Sequence, residues 1–393
     1  MSGKMYRMRP SHHVEPRYVE AALRTAAAQE AIDQLKTGMS ESGMNLTHER
    51  FATLRVPVAP AAEQRRIVAK LDALTARMAR ARADLDRIPS LAARYKLSLL
   101  RKAVRGELTE AWRQQAKPEP TADLLNRIPP PQQGRGGRDA TTEVVPGQAA
   151  LSVNHPGTPA PHGWAWTSLL RIARQETGHT PSRSVAAYWG GEVPWIGIRD
   201  AGAHHGRTIT DTLQTITEEG LANSSARLLP ARTVCLSRTA SVGYVTIMAR
   251  PMATSQDFAT WTCSEALVPE FLMYALMAEG DDIRAFGEGS THTTIYFPAI
   301  RALHICLPSP EEQHEIVQRV RAGLAEIDRL AAEAAAARRL LDRLDQAILA
   351  KAFRGELVAQ DPADEPADVL LERIRAERAA APKAKRRGRA AAA

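Results

Sequence analysis

Apolar residues recur every three or four positions along two long stretches of this chain, and this spacing predicts two long helices. One stretch keeps the pattern from Ile67 to Leu99, and the other keeps it from Ile316 to Ile348. Heptad spacing of this kind is typical of helices that pair as a coiled coil. The residues predicted to form the helix-pair seam are Leu71, Leu74, Met78, Leu85, Val320, Ile327, Leu330, Leu341, Leu344 and Ile348.

Both stretches belong to an internal repeat. The segment LRVPVAPAAEQRRIVAKLDAL from Leu54 recurs as LHICLPSPEEQHEIVQRVRAG from Leu303, at an offset of 249 residues. The same offset carries KAVRGEL from Lys102 onto KAFRGEL from Lys351. A helix of ~45 residues would be roughly 65 Å long, which favours a spacer over an element of one compact core.

The ends of these helices carry recognisable signals. Ser309 and Glu312 have the spacing of a capping box, in which the glutamate side chain returns to the N-cap amide. Gly106 and Gly355 lie where a left-handed residue ends a helix. Pro89 falls inside the first helix, so we expect a kink or a frayed turn there.

Composition divides the rest of the chain. Residues 116–162 are rich in proline and glycine and predict a linker, whereas residues 163–307 alternate short apolar runs with turn residues and predict an α/β (α+β) globule. The segment PRYVEAAL from Pro16 resembles PEFLMYAL from Pro269, so residues 1–53 are interpreted as the remnant of a first globule. Residues 54–115 and 308–358 hold the long helices, and residues 359–393 end in a basic tail that is predicted to be disordered.

Charge is unevenly distributed along the 393 residues, whose formal net charge is +8. Residues 151–305 contain 11 Arg and no Lys against 13 acidic residues, whereas residues 61–113 contain 13 basic and 6 acidic residues. The all-arginine set suits bidentate contacts to base edges. The sequence leaves open whether the arginines of the first helix form a solvated face, dock another protein or contact the phosphates of a nucleic acid.

Several classes of protein are disfavoured. No apolar run is long enough for a membrane span, and the first residues lack the apolar core of a secretory signal, so a cytoplasmic location is expected. Three scattered cysteines predict neither disulfides nor a zinc site. His12 and His13, like His204 and His205, are adjacent pairs that cannot easily converge on one ion, so no metal site is predicted.

Motifs for catalysis are also missing from the sequence. There is no DPPY-type loop for a flipped base, no P-loop, and no GxGxxG motif that follows a strand. The chain is therefore predicted to be non-catalytic and to carry no cofactor of its own.

The order of globule, long helix, globule and long helix resembles the specificity subunit of type I restriction-modification systems. The resemblance depends on the EQ helix starts at Glu63 and Glu312 and on the KAxRGEL ends. It also depends on Gly163-Trp164, YWGGEVPWI from Tyr188, PARTVCLSRTASVG from Pro230 and TSQDF from Thr254. The match spans residues 164–357 almost continuously and residues 16–108 of the first copy.

This resemblance implies a target recognition domain that reads half of a split sequence in double-stranded DNA, and an antiparallel pair of helices that acts as a ruler. The implied partners are modification (methyltransferase) subunits, which carry S-adenosylmethionine, and a restriction (translocase and nuclease) subunit, which uses ATP and Mg. The chain departs from the family pattern because most of a first recognition domain is not found. A homodimer, or cooperation with another recognition subunit, is therefore expected.

Candidate DNA contacts lie in predicted loops that follow apolar runs. They are Arg199, His204, His205, Arg207, Ser237, Arg238, Thr239, Gln256, Thr291, His292 and Thr293. Ser237 and Thr239 could instead cap turns, and the polar run around His292 could only order its loop. The tryptophans Trp164, Trp189 and Trp195 are interpreted as core.

Two other functions are compatible with the sequence. The chain could be an assembly or scaffold module that binds modification subunits without reading DNA. It could also be a silent cassette that supplies a recognition domain by recombination.

Overall fold

The computed structural model describes residues 8–36, 46–133, 143–289 and 293–380. Its helices are α1 (Pro16–Leu23), α2 (Ala26–Leu35), α3 (His48–Phe51), α4 (Ala61–Val104), α5 (Glu110–Ala116), α6 (Thr121–Arg127), α7 (Leu169–Ile172), α8 (Ile198–Ala203), α9 (Glu218–Ala222), α10 (Pro269–Glu279), α11 (Phe297–Arg301), α12 (Pro310–Phe353) and α13 (Ala367–Ala380). Its strands are β1 (Val145–Pro146), β2 (Leu151–Val153), β3 (Ala165–Ser168), β4 (Ala173–Thr177), β5 (Trp189–Ile196), β6 (Arg207–Ile209), β7 (Gln214–Ile216), β8 (Val234–Ser237), β9 (Val245–Met248), β10 (Ala253–Thr254), β11 (Phe258–Cys263) and β12 (Leu303–Leu307). The chain divides into two compact units, residues 1–89 with 331–393 (unit 1) and residues 90–330 (unit 2).

The two predicted long helices are confirmed as α4 and α12, each with 44 residues. Gly106 and Gly355 follow them with φ angles of +76° and +77°, the left-handed conformation that the sequence predicted. Pro89 lies inside α4, and the helix continues through it, so the predicted frayed turn is not present. Among the described residues, no helix has the length and apolar character needed to cross a membrane.

Within unit 1, the two long helices run antiparallel. Arg338 Nε lies 3.1 Å from Asp86 Oδ1, and Arg82 Nη2 lies 3.2 Å from Asp342 Oδ1. The buried residues that join the helices to α1 are Tyr18, Ala21, Ile67, Leu71, Leu349 and Ala352. This small cluster is the core of the unit.

Unit 2 contains its own antiparallel stretch of the same helices. Lys96 pairs with Asp328, and a Cβ atom built on Gly323 would lie only 2.6 Å from a methyl group of Leu99. A larger residue at position 323 would therefore require the Leu99 side chain to move. The coiled coil inferred from the two seams is thus antiparallel within each unit.

The predicted seam needs correction at two positions. Leu330 and Leu344 are 50% and 47% exposed, whereas Leu349, which was not assigned to the seam, is 5% exposed. An α-helix has 3.6 residues per turn, so a strict heptad frame drifts across its face over many turns. Of the other predicted seam residues, Leu71, Met78 and Val320 are buried, and Leu74, Leu85, Ile327, Leu341 and Ile348 are half-buried.

A pair of leucines tests this corrected seam. We expect Leu349→Ala to lower the free energy of unfolding by about 2–4 kcal/mol, because it opens a cavity in the core of unit 1. The matched change Leu344→Ala should cost less than about 1 kcal/mol, since that side chain is half exposed. Chemical denaturation of both variants measures the difference in the free energy of unfolding. Equal losses in the two variants would support the seam as predicted from the sequence, with Leu344 in it.

Three sheets and a buried helix form unit 2, which confirms the mixed α/β prediction. The largest sheet has the order β4-β11-β8-β9-β6, a second has the order β10-β5-β7, and a third has the order β1-β2-β12-β3. Helix α10 is buried along most of its length, and Phe271, Phe258 and Trp261 are fully buried. The core therefore lies between α10 and the sheets.

The prediction that residues 116–162 form only a linker is wrong at both ends of that segment. Helix α6 buries Leu124, and strands β1 and β2 join the sheet that contains β12. Glu279, at the end of α10, accepts hydrogen bonds from the main-chain N–H groups of residues 148–151. Residues 134–142, which include the glycine-rich centre of the predicted linker, lie outside the described residues.

The internal repeat is reproduced in atomic detail. The Gln64 side-chain oxygen accepts a hydrogen bond (2.9 Å) from the amide of Glu15, the N-cap of α1. The Gln313 oxygen accepts the same bond (2.7 Å) from the amide of Val268, the N-cap of α10. Helix α1 is thus the structural counterpart of α10, as expected for residues 1–53. Residues 381–393, which form most of the predicted disordered tail, lie outside the described residues.

Candidate nucleic-acid interface

Several of the predicted loops meet around the turn between β8 and β9. Arg238 donates to the carbonyl of Gln256 (2.9 Å), and Thr239 Oγ1 donates to Asp257 Oδ1 (2.6 Å). The amide of Ile295 donates to the carbonyl of Arg238 (2.9 Å). Residues 202–207, 238–244, 255–257 and 293–297 are named the loop cluster here.

His205 attaches the 202–207 segment to this cluster. Its Nδ1 accepts a hydrogen bond (3.0 Å) from the amide of Val245, and its ring centroid lies 5.9 Å from that of Tyr244. Partial burial lowers the pKa of His205 below its ordinary value, so the ring is neutral at pH 7. The proton is then on Nε2, which makes this nitrogen a hydrogen-bond donor.

Three of the predicted contacts hold the cluster together instead of facing outward. Ser237 is fully buried, donates to the carbonyl of Ser241 (2.5 Å) and accepts from the amide of Tyr244 (2.8 Å). The Arg238 guanidinium lies 4.3 Å from the ring centroid of Phe297. With Thr239 bound to Asp257, these side chains order the turn, so the prediction of direct DNA contact is wrong for the buried Ser237.

Two arginines of unit 2 are free to bind an external anion. Arg199 on α8 and Arg207 on β6 are exposed, and neither guanidinium group has a hydrogen-bond or ion-pair partner among the described residues. Most other arginines of residues 151–305 have internal partners. Arg174, Arg227, Arg232, Arg250 and Arg284 form ion pairs, and Arg171 donates to main-chain carbonyls.

Gln256 is held in one orientation at the surface. Its side-chain oxygen accepts a hydrogen bond (2.6 Å) from Thr180 Oγ1, while its residue as a whole is exposed. The oxygen keeps a second lone pair, and the amide group keeps its two N–H donors. This is the donor and acceptor pair that glutamine uses on the edge of adenine.

The remaining predicted contacts lie at the edge of the cluster. His204 bonds through Nδ1 to the carbonyl of Asp200 (3.0 Å), which leaves Nε2 free. Thr293 donates to the carbonyl of Gly289 (3.3 Å) and lines a cleft of about 660 Å³ with His205 and Tyr244. Thr291 and His292 lie outside the described residues, so their contacts stay predictions.

Arg183 was not among the DNA contacts predicted from the sequence. Its guanidinium lies 4.9 Å from the Trp189 ring centroid and 5.6 Å from that of Trp195, and the two indole rings meet edge to face. Trp195 is buried, as Trp164 is, which confirms their assignment to the core, while Trp189 is half-buried. Two tryptophans on one strand, with an arginine a few residues before them, were the available signal.

A buried carboxylate joins the sheet domain to the ends of both long helices within unit 2. Glu312 accepts hydrogen bonds from Thr109 Oγ1 (2.6 Å), Arg113 Nε (2.9 Å) and Trp164 Nε1 (2.9 Å). The Ser309 side chain caps α12 by accepting from the Glu312 amide (3.3 Å), as predicted. The Glu312 side chain does not return to the N-cap amide, because it is occupied by these three donors. The predicted capping box is therefore only half correct.

Comparisons with known proteins show similarity between this chain and DNA specificity subunits. Residues 161–330 match the family model described as type I restriction modification DNA specificity domain. The MjaIX specificity subunit of Methanocaldococcus jannaschii is 30% identical over 158 residues, which are 40% of this chain and 37% of that protein. The EcoKI specificity subunit of Escherichia coli K12 is 26% identical over 403 residues, with 95% of this chain and 74% of that protein covered.

Solved structures agree on the fold. The HsdS subunit from Thermoanaerobacter tengcongensis superposes with a TM-score of 0.53 at 22% identity and covers 88% of this chain and 71% of that one. A chain from a structural study of the assembly and conformational transition of the type I R-M system gives a TM-score of 0.56 at 20% identity, with coverage of 88% and 72%. The aligned part of this chain thus spans little more than a third of the Methanocaldococcus jannaschii protein and about three quarters of the Escherichia coli protein.

Proposed function

We propose that this chain, which belongs to the family of type I restriction-modification specificity subunits, recognises double-stranded DNA in a sequence-specific manner. The reader is the sheet domain within residues 163–307, and the face that contacts DNA is the loop cluster with Arg199. The chain contributes recognition, while the S-adenosylmethionine, ATP and Mg of such a complex belong to its partner subunits.

The observation that carries the proposal is the internal order of the loop cluster. Ser237, Arg238 and Thr239 hold the turn in place, while Gln256 and the Nε2 donor of His205 remain available for external groups. Base recognition needs such donors and acceptors in fixed positions, because only correctly placed groups distinguish one base edge from another. Arg199 and Arg207 supply positive charge beside them for phosphate contact.

The long helices offer the surface for partners. Arg77 and Arg80 are exposed along the part of α4 that lies in unit 1, in a segment with an excess of basic residues. We assign this face to the docking of modification subunits, and the restriction subunit would join that core. One recognition domain reads one half-site, so a two-part target would need a second copy of this chain or another specificity subunit.

Methylation mapping tests the proposal. Cells that express this chain with a modification partner should show methylated sites that share one sequence motif, and cells without this chain should lack that motif. A stable complex with the partner but no shared motif would favour the assembly module. If the chain binds neither the modification partner nor DNA, the proposed function is wrong.

Two substitutions test the DNA-contacting face. Arg199→Ala and Arg207→Ala should each weaken DNA binding about 3- to 30-fold at moderate salt, and each should reduce the salt dependence of log K by about 0.9, the change expected for one lost phosphate contact. Fluorescence anisotropy over a series of salt concentrations measures both quantities.

Arg250→Ala is the matched control. Arg250 is equally a surface arginine of the same domain, but it is paired with Asp211 at 3.0 Å. Its replacement should leave affinity and salt dependence close to those of the unaltered chain. If all three variants behave alike, the positive charge of the domain acts as a whole and Arg199 and Arg207 are not specific contacts.

A further inference from the structure

Two adjacent histidines in unit 1 lie side by side. His12 and His13 are the central residues of a turn that is closed by a hydrogen bond (2.9 Å) from the Val14 amide to the Ser11 carbonyl. In an extended strand, successive side chains point to opposite faces. Here the turn brings the two ring centroids to 3.9 Å, with 39° between the ring planes. The turn therefore removes the geometric reason for the expectation that this pair could not easily converge on one ion.

A carboxylate from the last described helix completes the cluster. Glu377 on α13 places Oε1 2.6 Å from His13 Nε2 and 3.8 Å from His12 Nε2. The three potential ligand atoms all lie within 4.8 Å of one another. Among the described residues, this is the group of His, Cys, Asp or Glu side chains that lie close enough together to hold a metal ion. The side chains of His12, His13 and Glu377 are 75%, 19% and 44% exposed, so an ion can reach them from solvent.

We propose that His12, His13 and Glu377 bind a divalent transition-metal ion, with Zn²⁺ as the best match. Two imidazoles and one carboxylate are a common zinc ligand set, and bonds of about 2.0–2.2 Å put neighbouring tetrahedral ligand atoms about 3.3 Å apart. The observed separations of 2.6 and 3.8 Å fall on either side of this value. Small side-chain rotations would therefore form the site, and water would take the fourth position.

The ion would connect two segments that are far apart in sequence. The histidines precede α1, whereas Glu377 lies on α13, which is anchored through the buried Leu370 and is 14 residues long. A bound ion would replace the single His13–Glu377 hydrogen bond with three metal bonds. The expected consequence is a metal-dependent clamp that holds the C-terminal helix against the N-terminal segment of unit 1.

Calorimetric titration of the full-length chain, without an affinity tag, with ZnCl₂ tests the site. We expect one ion per chain, and binding at least tenfold weaker in His12→Ala and in Glu377→Gln. His162→Ala is the matched control, because His162 is also exposed but lies in unit 2. Its replacement should leave the affinity of the chain for Zn²⁺ unchanged.

Co²⁺ absorption and amide hydrogen exchange complete the test. Co²⁺ should give the intense visible bands of a four-coordinate site in the unaltered chain, and exchange in α13 should slow when Zn²⁺ is added. Melting temperatures in EDTA should be the same for all variants, which shows that they fold. The proposal is overturned if Zn²⁺ does not bind, or if His162→Ala weakens binding as much as the cluster variants do.

Discussion

Glu312→Gln is expected to lower the free energy of unfolding of unit 2 by about 3–5 kcal/mol, the usual cost of removing one partner from a buried ion pair. The Glu312 side chain is 1% exposed and the Arg113 side chain 11% exposed, so the remaining guanidinium would be left nearly buried without a counter-charge. A glutamine also offers one oxygen where the carboxylate presents two to Thr109, Arg113 and Trp164. At least one donor would lose its acceptor.

Chemical denaturation followed by tryptophan fluorescence measures this loss, since Trp164 itself bonds to Glu312. Glu315→Gln is the control, because Glu315 lies one turn further along α12 and forms an i, i+4 pair with Arg319, in which the Glu315 and Arg319 side chains are 24% and 39% exposed. Solvent-accessible helix pairs with this spacing contribute about 0.3–0.5 kcal/mol. A similar small loss in Glu312→Gln would show that the carboxylate does not join the domain to the helix ends.

Glu279→Ala is the second substitution with a large expected effect. Its carboxylate accepts from the amides of Gln148 (2.6 Å), Ala149 (3.2 Å), Ala150 (3.1 Å) and Leu151 (3.2 Å). Ala150 and Leu151 are buried, and each buried amide without an acceptor costs about 1–3 kcal/mol. We expect a total loss of about 3–5 kcal/mol, because the cavity left by the side chain adds to these terms.

The substitution should also release the segment that leads into β2. Hydrogen exchange of residues 145–153 should become faster in Glu279→Ala, as expected if the carboxylate holds that strand in the sheet. Asp281→Ala is the control, since the Asp281 side chain is 93% exposed and, among the described residues, forms its ion pair with Arg284. A stability loss in Glu279→Ala no larger than that of Asp281→Ala would mean that the segment is held by the sheet alone.

Local patterns in the sequence were sufficient for the two long helices and for the glycines that end them. The helices and the left-handed conformation of Gly106 and Gly355 depend on near neighbours in the sequence, and the structure confirms them. The resemblance to type I specificity subunits also depended on these motifs. The exposure of Leu330 and Leu344 did not, because helix rotation accumulates over many turns.

The roles of individual loop residues depended on long-range contacts. Nothing near Ser237, Arg238 or Thr239 in the sequence shows that Gln256, Asp257 and Ile295 would lie beside them. Strands β1 and β2, inside the predicted linker, could not be predicted from the sequence for the same reason. Two or three residues form a strand only when a partner such as β12 supplies the hydrogen bonds.

The sequence by itself therefore determined the repeat, the two helices, the mixed domain between them and the resemblance to type I specificity subunits. Only the tertiary structure decided which polar side chains are occupied and which are free: it left Arg199, Arg207 and Gln256 at the surface and turned Glu312 away from its expected capping bond. The physical reason is that helix propensity and capping act between neighbours in sequence, whereas the partners of a buried or exposed polar group are set by segments tens to hundreds of residues away.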